Sequence, residues 1–172
     1  MNKNVRTFFI KNTIILGVVY SVFFIVFNSF VLFDLNVVKT IFVAFFFAFL
    51  MSSYTCSSEL RNYKRLLKGE IALHDIIPSA EGTMKTRPSF SLDKARQLMN
   101  DAGFIISECY DNHMTFTTVH SWCNAIPITV FVHFKEGMLN IKLYKFTRTS
   151  FMESKNPKDV LDDVKAIISS CS

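Results

Sequence analysis

VRTFFIKNTIILGVVYSVFFIVFNSFVLF (5–33) and VVKTIFVAFFFAFLMSSY (37–54) decide how this chain folds. Both are long apolar runs, and only Asp34, Leu35 and Asn36 stand between them. A helix needs about 20 mostly apolar residues to cross the hydrocarbon core of a bilayer. Each run is long enough, and the short connection suits a tight antiparallel turn. The reading is a transmembrane helical hairpin over 1–56, with spans at 8–33 and 37–56. A cleaved secretory signal would have a shorter apolar core followed by a small-residue cleavage site. Here the first alanine is Ala44, so cleavage is not expected.

Charge orients the hairpin. The net charge is +5, and its placement matters more than its size. Lys3, Arg6 and Lys11 precede or open the first run, and Arg61, Lys64, Arg65 and Lys68 follow the second. Basic residues close to spans stay on the cytoplasmic side, so both termini are expected in the cytoplasm and the hairpin tip outside. Lys39 lies just inside the second run, where its long stem can carry the ammonium to the headgroups. Cys56, Cys109, Cys123 and Cys171 would then be kept reduced.

Small residues recur at helical spacing inside both runs. Gly17 and Ser21 are four apart, as are Ala44, Ala48 and Ser52. Such stripes let helix backbones approach closely. They serve packing inside the hairpin, with Gly17 and Ser52 at similar depth, or a groove for another membrane protein or a second copy of the chain.

Residues 57–77 contain no proline and read as a basic juxtamembrane helix. Arg61, Lys64, Arg65 and Lys68 share one of its faces and suit anionic headgroups, each charge contributing about 1 kcal/mol near the surface. Residues 78–90 have loop composition and read as a linker. Residues 91–172 then read as a small two-layer α+β domain in the order α-β-β-β-β-α, with an antiparallel sheet. Ser91 is placed to cap the first helix and Gly103 to end it. Strands are expected over 104–110, 114–120, 128–134 and 138–146, and Asn156-Pro157 opens the last helix. Leu139, Ile141 and Leu143 alternate with Asn140, Lys142 and Tyr144, so one face of that strand is buried and the other wet.

Chemistry-bearing patterns are sparse. Cys109, His113, His120 and Cys123 are the right ligand types for zinc, but the expected strand separates the two pairs by about 20 Å. Core cysteines and surface histidines account for them better. No nucleophile elbow, phosphate loop, dinucleotide fingerprint or metalloprotease motif is present. The acids Asp159, Asp162 and Asp163 lie near a helix start, where they favour the dipole. No catalytic residue and no cofactor is expected. Lys142, Lys145 and Arg148 interleave with Tyr144 and Phe146, but Glu108, Asp111, Glu136 and the acidic last helix dilute the field, so nucleic acid is not an expected partner. Trp122, the only tryptophan, and the wet face with Asn140, Lys142 and Tyr144 are the candidate interaction surfaces.

The size, the basic start, the two Phe-rich spans and the basic cytoplasmic tail together resemble the small inner-membrane superinfection-exclusion and immunity proteins of phages and plasmids. The resemblance is one of architecture and rests on no diagnostic motif. It implies a bacterial inner-membrane protein that blocks incoming DNA or a related channel, with specificity in the spans or the tail. Two other classes remain open. One is an adaptor subunit of a resident transporter or sensor complex. The other is a membrane-bound enzyme with an unrecognised site around His120 and Cys123.

Overall fold

The computed structural model describes residues 1–32, 36–87, 90–119, 126–147 and 156–170. The chain forms two compact units, Met1–Arg65 and Leu66–Ser172.

In the first unit α1 spans Lys3–Phe27 and runs into a π-helical turn, Asn28–Leu32; α2 spans Val37–Ser58. Asn2 and Asn36 cap the two helices by accepting from the backbone N–H of Asn4 and Lys39. Both helices are long and apolar enough to cross a membrane. Only 6 % and 22 % of their most apolar stretches are buried inside the molecule. The core helix of a soluble protein would be mostly buried, and an exposed apolar surface this extensive is unusual for a soluble monomer. Thr7, Thr13, Ser21, Ser29 and Ser53 each donate to the carbonyl four residues back. Their hydroxyls are thereby satisfied within the helix, which is what an apolar solvent requires.

The helix expected over 57–77 is not continuous. α2 ends at Ser58, a short α3 covers Arg61–Leu67, and a single 3-10 turn follows at Leu73–Asp75. Gly69 ends the helical stretch at φ 71°, a left-handed conformation that glycine adopts without a Cβ penalty.

The second unit is a five-stranded antiparallel sheet in the order β1-β5-β4-β3-β2. β1 is Ala80–Lys85, β2 Ile105–Tyr110, β3 His113–Thr117, β4 Thr129–Lys135 and β5 Met138–Tyr144. α4 (Leu92–Asp101) connects β1 at one edge to β2 at the other, and α5 (Pro157–Ser169) follows β5. The order is therefore β-α-β-β-β-β-α rather than the expected α-β-β-β-β-α. The additional strand lies in the segment read as a linker. It is hard to see because two of its three inward residues, Ala80 and Gly82, are small. Ala80, Gly82 and Met84 pair with Leu143, Ile141 and Leu139. A Cβ at Gly82 would lie 2.7 Å from the Lys165 side chain and 3.3 Å from Leu161, so α5 occupies the space where a larger residue would have signalled a strand.

Local chemistry sets the other boundaries. Gly103, at φ 88°, ends α4, with Phe104 N–H donating to Met99 O, the six-to-one bond of a Schellman cap. Ser91 occupies the cap position of α4, but its side chain makes no capping bond. Asn156 does cap α5, accepting from Lys158 N–H at 3.1 Å, with Pro157 in the first turn. Glu136 and Gly137 both have positive φ, 52° and 75°, and make the two-residue turn whose twist matches paired strands. Ser107 is an extra residue between the pairs Ile106–Phe116 and Glu108–Thr115, a bulge on the edge strand.

The core is one-sided. Ala95 and Met99 of α4 and Val160, Val164 and Ile168 of α5 pack on Met114, Phe116, Val130, Val132, Ile141 and Leu143. The other side of the sheet carries neither α4 nor α5.

Candidate functional site: the hairpin seam and the open sheet face

The seam of the hairpin is built from one stripe on α2. Thr40, Ala44, Ala48, Ser52 and Cys56 recur every four residues, and all are buried. Gly17 of α1 lies against the ring of Phe45; a Cβ there would sit 2.6 Å from it. Ser21 is half-buried and bonds back to Gly17 O at 2.7 Å. The depth match differs from the expected one: Ser52 faces Asn12, not Gly17, and accepts from its Nδ2 at 3.1 Å. Asn28 Nδ2 donates to Thr40 Oγ1 at 2.9 Å, and Asn4 Nδ2 to the Tyr63 hydroxyl at 3.0 Å. Phe9 meets Phe49 edge-on at 5.6 Å, and Phe24 meets Phe47 at 6.1 Å. Two polar bonds and two ring contacts thus fix the register along the α1–α2 pair, and the Asn4–Tyr63 bond ties the start of α1 to α3. Replacing Asn12 by Ala should weaken the helix pair by about 0.6–2 kcal/mol, the range for interhelical hydrogen bonds in a bilayer. The readout is energy transfer between dyes at the two helices in nanodiscs. Asn28→Ala should add to it independently, because the two bonds share no residue.

Near the turn, a cavity of about 510 Å³ opens among Phe24, Phe27, Asn28, Lys39 and Thr40. Beyond the other end, Arg61 and Arg65 are exposed on α3 and Lys64 is half-buried. Lys68 follows the helix, 3.5 Å from the Glu70 carboxylate. These four are the residues assigned above to lipid headgroups.

The open face of the sheet is read from the register. One row across it is Glu81, Lys142, Phe131, Thr115 and Glu108; the next is Thr83, Asn140, His133, His113 and Tyr110. Glu81, Thr83, Glu108 and Tyr110 are exposed at the edges, and Asn140, Lys142, Phe131, His133 and His113 are half-buried in the middle. Tyr110 stacks on His113 at 4.6 Å, His113 lies 5.5 Å from Phe131, and Phe131 lies 6.5 Å from His133. Of these pairs only Tyr110 and His113 are close enough for one ring to cover the face of the other.

Asn140 and Lys142 lie on this face. Tyr144 does not offer a surface: it is only 2 % exposed. A β5 residue on the wet side of the alternation is read as exposed only if nothing covers it, and the strand's own pattern does not contain that information. Trp122, His120 and Cys123 lie outside the described residues, as do Arg148 and Cys171. Cys109 is paired with Met114, which points into the core, whereas the neighbouring His113 points to the open face. Cys109 and His113 therefore sit on opposite sides of the sheet. No cluster of three or more His, Cys, Asp or Glu residues forms among the described residues. Tyr110, Phe131 and His133 escaped the sequence reading. The alternation of Thr129, Phe131 and His133 with Val130 and Val132 was the available signal.

The Tyr144 hydroxyl is pushed above its ordinary value of 10.0, first by burial and then by the Glu81 carboxylate. A raised folded-state pKa stabilises the fold below the unfolded value, and this contribution is lost as pH rises through the raised one. The domain should therefore lose stability above about pH 10. Tyr144→Phe keeps the ring and removes the ionisation, so urea melts of this variant should show a shallower alkaline decline.

No family model, curated protein or solved structure matches this chain.

Proposed function

We propose that this chain is a membrane-anchored, non-catalytic binding or inhibitory module of a bacterial inner membrane, which blocks incoming foreign DNA or the channel that admits it. The observation that carries this reading is the pairing of two long apolar helices with each other, joined in one chain to a domain whose sheet keeps one face free of α4 and α5. The hairpin holds Ala44, Ala48, Ser52, Asn12 and Asn28 in its own seam, which supports its use as an anchor. The basic residues at both its ends favour cytoplasmic termini, and those of α3 favour contact with anionic headgroups. The open face brings together lysine, imidazole, carboxamide and aromatic side chains, a mixture suited to contact with another protein.

The test is a challenge assay in bacteria producing the full chain, or the full chain with Phe131→Ala and Lys142→Glu, at equal membrane levels. Cells would meet a panel of phages and conjugative donors. Protection by the native chain and its loss in the variant supports the reading. Infection and transfer at the level of cells lacking the protein contradicts exclusion, and equal protection by the variant moves specificity away from the sheet face.

A further inference from the structure

We propose that His113 and His133 form a two-imidazole site for a borderline divalent transition cation, zinc being the cellular example. The two residues are directly opposed on β3 and β4. Phe134 N–H donates to Asn112 O at 2.7 Å, and Thr118 N–H donates to Ile128 O at 3.0 Å. The pairs 112·134 and 118·128 are therefore the hydrogen-bonded ones in this ladder, and 113·133 falls in the alternating, non-hydrogen-bonded class. In that class the Cα atoms approach to about 4.5 Å and the side chains are closest. Two imidazoles rooted this near, on the same face, reach one ion by rotation about their own side-chain torsions.

The surroundings favour ligation. His113 Nδ1 lies 3.0 Å from Asn112 Oδ1. That oxygen only accepts, so the contact is a hydrogen bond in the tautomer that carries its hydrogen on Nδ1, and in that tautomer the Nε2 lone pair is left for a metal. Metal-binding histidines are oriented by an outer contact of this kind. Tyr110 stacks on the His113 ring, and the Phe131 ring lies 5.5 Å from that of His113 and 6.5 Å from that of His133. Asn140 is the β5 neighbour of His133 and offers an amide oxygen. Imidazole selects zinc, copper or nickel over magnesium or calcium, which take oxygen ligands. With no third His, Cys, Asp or Glu gathered at the pair among the described residues, water completes the shell, so the site is exchangeable rather than structural.

The experiment is calorimetric titration of Zn²⁺ into the full chain in nanodiscs. The native protein should bind one ion at this site. His113→Gln and His133→Gln should each weaken binding by at least about tenfold, because either change removes the chelate. The double variant, which lacks both imidazoles, should bind no more tightly than either single. Both positions are half-buried on the surface, and unchanged melting in the absence of zinc would show that the variants fold. Cys109→Ser and His74→Gln should bind as the native chain does. Native affinity in either histidine variant, loss of binding only on changing His120 or Cys123, or no binding by the native chain would each overturn the assignment.

Discussion

Replacing Phe116 by Ala should lower the stability of the α/β domain by about 3–5 kcal/mol, the range for emptying a fully buried aromatic site. Phe116 is 0 % exposed and is the largest fully buried side chain among the described residues. It stands on β3, paired with Ile106 on one side and Val130 on the other. Its ring fills the space between the centre of the sheet and the two helices, and the surrounding Met99, Met114 and Val130 cannot all move into the void while the strands keep their pairing. A domain of this size is stable by about 5–15 kcal/mol, so the loss is a large share. Urea denaturation followed by tryptophan fluorescence checks it. Phe116→Leu should recover more than half of the loss, because it leaves a much smaller void.

Gly17→Leu should disrupt the hairpin. A Cβ at Gly17 already meets the Phe45 ring at 2.6, 2.8 and 2.9 Å, all closer than real contacts allow. Phe45 must leave, or α1 must move away from α2. Overpacking of this kind costs about 1–3 kcal/mol by itself. If α1 moves, the Asn12–Ser52 and Asn28–Thr40 bonds on either side are stretched as well. Oxidative crosslinking of an Asn12→Cys, Ser52→Cys pair in membranes reads the separation directly. Efficient crosslinking should fall sharply in the Gly17→Leu background, while Val18→Leu, at an exposed position, should leave it unchanged.

The two long apolar helices were legible because length and polarity are written directly in the sequence, and the small residues at 44, 48 and 52 marked the seam. Its exact depth match was not, since it depends on Asn12 and Asn28 finding hydroxyls across the pair. Four strands and both domain helices were visible through alternation, helical periodicity and the Gly103 and Asn156-Pro157 signals. β1 was missed because Ala80 and Gly82 look like loop residues until α5 is in place above them. The juxtamembrane helix was overextended because a basic stripe continues past Ser58 although the backbone does not. At the site, alternation on β5 located Asn140 and Lys142, but the juxtaposition of His113 with His133 depends on strand pairing across a long connection, which no local pattern encodes. Tyr144 failed for a similar reason: exposure on an outward position depends on what lies over it.

The measurement that tests the central claim most directly is single-cysteine labelling in intact bacteria. All native cysteines are replaced by Ser, and one cysteine is placed either at Val38, near the hairpin turn, or at position 109, on the edge of the sheet. The account requires that a membrane-impermeant maleimide labels Val38→Cys in intact cells and labels Cys109 only after lysis, with the protein retained in the membrane through an alkaline wash. Labelling of Cys109 in intact cells, or release of the protein by the wash, would contradict a two-span anchor that holds the α/β domain in the cytoplasm.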